Sequence, residues 1–223
     1  MSNFLYAIYT AVHLILLLWG GQIWRRHHTL STALLVAISF GLFYDNLILV
    51  LGTPLGEGSL LLALSWPRFM LHHLLLPWVI VAAYDQARLT GASWTKWRWG
   101  RGTAVLISIL VIVAGIFTRL LPMTLEPAVM DGVVRYVAHN VSGPPIVSIV
   151  SIGLVGVMSI SWWRHKQWPW LTLIVLIVFI GEGFPNEAVR RMVGSGLEAM
   201  LMWMLYLTTV RFWQPQAAAV FAD

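Results

Sequence analysis

Residues 29–51 read TLSTALLVAISFGLFYDNLILVL. This run of 23 residues carries a single charge, Asp45, and its reading decides the class of fold. About 20 mostly apolar residues are enough for a helix to cross the hydrocarbon core of a bilayer. The apolar residues run continuously and do not alternate, which excludes the strands of a membrane barrel. The carboxylate of Asp45 stands six residues before the end of the stretch. At 1.5 Å per residue that is about 9 Å below the mouth, too deep for so short a side chain to reach back to the surface. One stretch therefore defines both a membrane helix and a first candidate site residue.

Six further apolar stretches lie at 4–24, 67–87, 102–121, 146–163, 170–183 and 196–213. Hydrophobic residues make up 59% of the chain and charged ones 10%, against about 25% charged in a soluble domain. The expectation is an all-α polytopic membrane protein, a seven-helix bundle forming a single domain over residues 1–223, with no room for a soluble domain. Residues 1–24 lack a basic n-region and a small-residue cleavage site, so they read as a retained first helix.

The charges are sorted between alternate connections. Of the fourteen Lys and Arg residues, Arg25, Arg26, Arg88, Lys96, Arg98, Arg101, Arg164, Lys166 and Arg211 fall in the first, third and fifth connections and the tail. Seven of the nine acids, Asp45, Glu57, Glu126, Asp131, Glu182, Glu187 and Glu198, fall on the other side. Short loops rich in Lys and Arg stay in the cytoplasm, which places the C-terminus inside and the N-terminus outside. The expected location is a bacterial inner (plasma) membrane. A net charge of +5 is thereby explained by topology, and a nucleic-acid partner is not expected because no soluble basic platform remains. Membrane lipids are the expected partners. Ten of the thirteen tryptophans lie near helix ends, where an amphipathic ring prefers the headgroup layer. The stretch 94–101, WTKWRWGR, interleaves aromatic and basic residues and reads as an interfacial anchor.

Two outer connections look like more than linkers. Residues 52–66 hold Gly52, Pro54, Gly56 and Gly58 and then an apolar patch at 60–64, read as a loop with an interfacial segment. In 122–145, Met130, Val133, Val134, Val137 and Val141 fall at helical spacing, which predicts a short surface helix over the bundle mouth. Asn140-Val141-Ser142 is a glycosylation sequon. In the fifth span Ser148, Ser151, Gly156 and Ser159 share a face, a pattern that lets helices approach closely.

Ionisable residues inside a membrane cost about 2.5–3.5 kcal/mol each on insertion scales and need a reason. Asp45, His72, His73, Glu182 and Glu198 fall in the outer third of four spans, with Asn46, Arg68 and Arg119 in or near the same layer. Asp45, His72 and His73 are the candidate acid–base residues; Asn46, Arg68, Glu182 and Glu198 are the candidate ligand-binding ones. Below that layer the inner half reads as apolar, with His13 as the exception. Arg68 and Arg119 also sit close enough to helix ends to snorkel, and Glu187 and Arg191 have the spacing of a helix-surface pair.

The residue types restrict the chemistry. There is no cysteine, so disulfides and thiolate metal sites are excluded. His72 and His73 are adjacent on a helix and point about 100° apart, and the chain holds no H-x-x-x-H or H-E-x-x-H, so no metal is expected. Ser195 in Gly194-Ser195-Gly196 is an available nucleophile outside the G-x-S-x-G context.

Seven crossings with an outside N-terminus resemble the microbial rhodopsins in topology. That family holds retinal on a lysine of its last helix, whereas the only lysines here are Lys96 and Lys166, in inner loops. A retinal Schiff base is therefore impossible, and no cofactor is expected. In span count and polar interior the chain is similar to the seven-helix hydrolases that include alkaline ceramidases, without their H-x-x-x-H pair. Glu187 to Arg191 and Phe69 to His73 resemble fragments of the CAAX-protease motifs in reversed order, with a single Glu. None of these likenesses spans the chain. The expected function is binding of a small or lipid-like ligand in an outward-facing polar pocket, with an enzymatic version in which Asp45 and a histidine act as acid and base. The alternatives are a receptor-like sensor or proton-coupled transporter, and a structural or assembly subunit of a membrane complex.

Overall fold

The computed structural model describes residues 2–130, 132–141, 143–184 and 187–213, except for the side chains of 2, 187–189, 191 and 192. The sequon through Ser142, the Glu187–Arg191 pair and Asp131 fall wholly or partly outside the described residues.

The described residues form eight α-helices and one β-hairpin. The helices are α1 (Ser2–His27), α2 (Leu30–Leu55), α3 (Ser59–Leu75), α4 (Val79–Leu89), α5 (Gly100–Gly115), α6 (Ile146–Lys166), α7 (Trp170–Glu182) and α8 (Glu187–Phe212). Six segments are long and apolar enough to cross a membrane: Asn3–His27, Leu30–Leu55, Ser59–Leu89, Gly100–Leu120, Ile146–Lys166 and Val193–Phe212. The apolar helix α7 is shorter. Outward-facing side chains such as Ile15, Leu18, Leu110, Val157 and Ile180 are exposed, an apolar surface too extensive for a water-soluble monomer and suited to lipid.

The segment Ser59–Leu89 organises the bundle. It is interrupted at Leu76–Trp78, where Pro77 has no N–H to continue the α-helical ladder and the chain tightens into a 3-10 turn. Below the turn, every residue of α4 from Val79 to Ala87 is buried, packed among α2, α5, α6 and α8. The first half of α4, Val79–Ala83, is apolar all round and belongs at a bundle centre, and Ala82, Ala83 and Ala87 let neighbouring backbones approach. Above the turn, α3 lies at the periphery, with Leu60 and Met70 exposed. The break thus puts half of one span in the core and swings the other half outward.

Three expectations need correction. Residues 52–66 are not a loop: α2 runs on through Pro54 to Leu55, and α3 begins at Ser59. Pro54 is accommodated in the last turn of α2 and Pro67 inside α3, where it was expected to open the helix; each removes one helix hydrogen bond. Next, the described residues of 122–145 carry no helix. Strands β1 (Thr124–Met130) and β2 (Val133–His139) pair antiparallel, with Met130 opposite Val133. Asp-Gly between apolar residues is a sequence signature of a two-residue hairpin, and Gly132 has φ +78°. The helical spacing of the valines was fortuitous.

The half expected to be inner and apolar, finally, holds buried polar groups. Asp85 takes two hydrogen bonds from Arg101, at 3.0 and 3.2 Å. The Gln86 amide donates to the Leu205 carbonyl and the Thr209 hydroxyl, and the Ser39 and Tyr206 hydroxyls meet at 2.8 Å. Small and neutral polar side chains do not interrupt a hydropathy profile, yet each must find a partner when buried. On α6, Ser159 meets Thr172 of α7 at 2.7 Å and Gly156 faces Val175, so the small-residue face is a packing seam there.

Candidate functional site

The hairpin is held on the ends of α2 and α3 by specific contacts. Val133 is buried with Tyr6 and Leu49, and Tyr136 with Ile48 and Leu61. The Tyr136 hydroxyl donates to the Gly58 carbonyl, and the Val134 N–H donates to the Thr53 hydroxyl at 3.3 Å. Gly52 is required where β2 crosses α2, because a Cβ there would stand 1.9 Å from the Val134 carbonyl oxygen. Glu126 and His139 pair across the exposed edge of the hairpin at 3.3 Å.

Beneath the hairpin lies a cavity of about 420 Å³, within the usual range for a ligand site. Its walls include Asp45, Arg68, His72, His73, Glu182 and Glu198. Six of the seven acid–base and ligand-binding candidates therefore face one space. Asn46 does not: it is fully buried, and its amide nitrogen donates to the Leu42 carbonyl one turn back. The side chains at 45 and 46 point about 100° apart, and Asn46 faces away from the cavity. Because α2 continues to Leu55, Asp45 stands ten residues, or about 15 Å, from its helix end, deeper than the 9 Å first inferred.

Arg68 donates its Nε to Asp45 at 2.9 Å, and its Nη1 is buried with no hydrogen-bond partner. His72 Nε2 lies 3.3 Å from the Ser148 hydroxyl, and the His73 Nδ1–H donates to the Phe69 carbonyl at 2.8 Å. The two imidazoles pack edge to face at 5.4 Å. Among the described residues no hydrogen bond joins Asp45 to either histidine, so the expected acid–base pair is not in contact. His13 is fully buried and its Nε2 reaches the Ser195 backbone carbonyl at 3.2 Å. Ser195 lines the cavity but has no hydrogen bond to His72 or His73. Among the described residues no three His, Asp or Glu side chains are grouped to hold a metal ion.

Two arginines were under-read. Arg119 rides on a π-helical turn, Ile116–Leu120, that ends α5, and its guanidinium donates to the Gly143 and Pro144 carbonyls. Arg135 of β2 is buried, lines the cavity and donates to the Tyr6 hydroxyl at 3.0 Å. Its Nε has no partner. Alternation within 133–139, with Val133, Arg135 and Val137 on one side of a strand, was the available signal for Arg135.

A second, more apolar space of about 270 Å³ adjoins the first. Ile38, Leu42, His72, Ser148, Glu182 and Glu198 border both, while Val79, Ile152, Val178, Leu201 and Met202 border only the second. The arginines at 68, 119, 135 and 190 border only the first. Polar and apolar chambers thus meet along the His72–Glu182–Glu198 rim. No known family pattern matches the chain, and no curated protein is significantly similar to it.

Proposed function

We propose that the chain is a seven-crossing integral membrane protein, N-terminus outside, that binds an amphiphilic, lipid-like ligand. The polar part of the ligand sits in the outward-facing chamber under the hairpin, and its hydrocarbon part in the apolar chamber. The observation that carries this reading is the junction of the two spaces along shared residues. A water-soluble solute needs only the first chamber, whereas an amphiphile matches both. Ile149 and Phe179 support a route from the bilayer: each borders the apolar chamber and is also exposed on the outer surface of α6 and α7.

In the enzymatic form of this reading, Asp45 and a histidine of α3 supply acid and base. Arg68 would first have to release Asp45, and ligand anions compete for that arginine. The transporter alternative gains a little from the polar groups of the inner half, but these are engaged with one another as helix-to-helix bonds. Such groups serve a structural subunit equally well, which co-purification of a stoichiometric partner would favour.

Native mass spectrometry of the full chain extracted in a mild neutral detergent tests the reading. A bound amphiphile at one per chain is expected, and Ile152→Phe together with Val178→Phe should expel it while leaving the fold intact. No bound amphiphile, or one unaffected by filling the apolar chamber, would sink it.

A further inference from the structure

Four arginines border the outer chamber: Arg190 stands in the field of Glu182, and the partners of Arg68, Arg119 and Arg135 are unequal. Arg68 is matched by Asp45. Arg119 and Arg135 donate only to neutral oxygens, the 143 and 144 carbonyls and the Tyr6 hydroxyl. Among the described residues neither lies within ion-pair distance of a carboxylate. Arg68 and Arg135 are each only 7% exposed, and each keeps a buried N–H without an acceptor, Nη1 in the one and Nε in the other. A buried guanidinium with an unmet donor is costly and is normally satisfied by an anion. The fork of N–H groups on an arginine suits the several oxygens of a phosphate.

From this we infer that Arg68 and Arg135 form a clamp for a phosphate-type oxyanion, the headgroup of the amphiphile proposed above. The inference rests on that reading and adds the headgroup's chemistry. The clamp reaches the anion from two sides, from α3 and from the hairpin, with Arg119 adding uncompensated positive charge to the same chamber. Glu182 and Glu198 lie on the rim that the polar chamber shares with the apolar one. They accept hydrogen bonds there from hydroxyls linking head to tail. The order along the cavity is therefore oxyanion, hydroxyl-bearing linker, hydrocarbon chain.

The test measures binding to the full chain, purified in digitonin, of monododecyl phosphate, dodecyl maltoside and inorganic phosphate, by ligand-induced shift of the unfolding midpoint. Monododecyl phosphate should bind saturably and at least tenfold more tightly than dodecyl maltoside. Arg135→Met should lose that tenfold preference while raising the midpoint of the ligand-free protein, because it removes an unpaired buried charge. Arg135→Lys keeps the charge without the fork and should retain part of the preference. Equal binding of the two dodecyl probes, in the parent chain and in Arg135→Met alike, overturns the clamp but leaves the amphiphile site standing. Inorganic phosphate binding as tightly as monododecyl phosphate upholds the clamp and removes the lipid-like ligand. Failure of monododecyl phosphate to bind at all overturns the clamp.

Discussion

Arg68 and Asp45 share one hydrogen bond at 2.9 Å but not one environment: the arginine side chain is 8% exposed and the aspartate side chain 29%. Water reaches the acid more readily than the base. Removing either partner of a buried pair leaves the other uncompensated, at a cost that rises with how well the survivor is sheltered. Asp45→Ala is therefore expected to destabilise the protein by about 3 kcal/mol and Arg68→Met by about 1 kcal/mol or less. Thermal unfolding in detergent gives the order directly, and a larger loss for Arg68→Met contradicts it.

The Asp85–Arg101 pair on α4 and α5 reverses that asymmetry. Here the acid is 1% exposed and the base 40%. Arg101→Ala strands a carboxylate at the bundle centre and should cost about 3–5 kcal/mol, while Asp85→Asn should cost much less. Equal losses in unfolding midpoint would mean that water reaches Asp85 once Arg101 is gone.

What was legible in the sequence follows from how far each signal is local. Continuous apolar runs reveal helices because their burial in lipid needs no partner: the span 146–163 falls within α6, and 29–51 within α2 but for Thr29, its N-cap. Depth was less legible. Asp45 looked nearer the mouth because Gly52 and Pro54 read as loop, and only the packing of β2 on α2 shows why a glycine sits inside that helix. Convergence of Asp45, Arg68, His72 and Glu198 was inferred from a shared layer, and the bundle does bring them to one cavity. Facing direction was not inferable for Asn46 without knowing which side of α2 meets α3. Arg135 was missed for a different reason: a helical period was assigned to a strand, and its inward direction disappeared with it.

Gly52 tests how the hairpin is held. Gly52→Ala places a methyl group against the Val134 carbonyl oxygen, where only 1.9 Å is available, and backbone on both sides must move. In a helix interior the same change ordinarily stabilises by about 0.5–1 kcal/mol. Gly21→Ala, on α1 with nothing within 4 Å, supplies that control. Limited proteolysis at the hairpin turn should accelerate several-fold in Gly52→Ala and stay unchanged in Gly21→Ala. Similar rates in the two would mean that the hairpin does not depend on close approach to α2.

The seventh crossing rests on α7, whose thirteen residues span about 20 Å at 1.5 Å each, against a hydrocarbon core of about 30 Å. A helix that short crosses only if the bilayer thins or flanking residues complete the span. The absence of cysteine makes the chain ready for single-cysteine labelling with a membrane-impermeant maleimide in right-side-out vesicles. Val129→Cys on the exposed hairpin edge should react at once, and Lys96→Cys only after permeabilisation. Lys166→Cys and Phe184→Cys bracket α7. If α7 crosses, Phe184→Cys reacts in sealed vesicles and Lys166→Cys does not. Labelling of both from one side would make α7 a re-entrant or interfacial helix. Glu182, at its C-terminal end, would then stay with Lys166 on one face of the membrane, and the proposed rim between an outward polar chamber and the apolar one would fail.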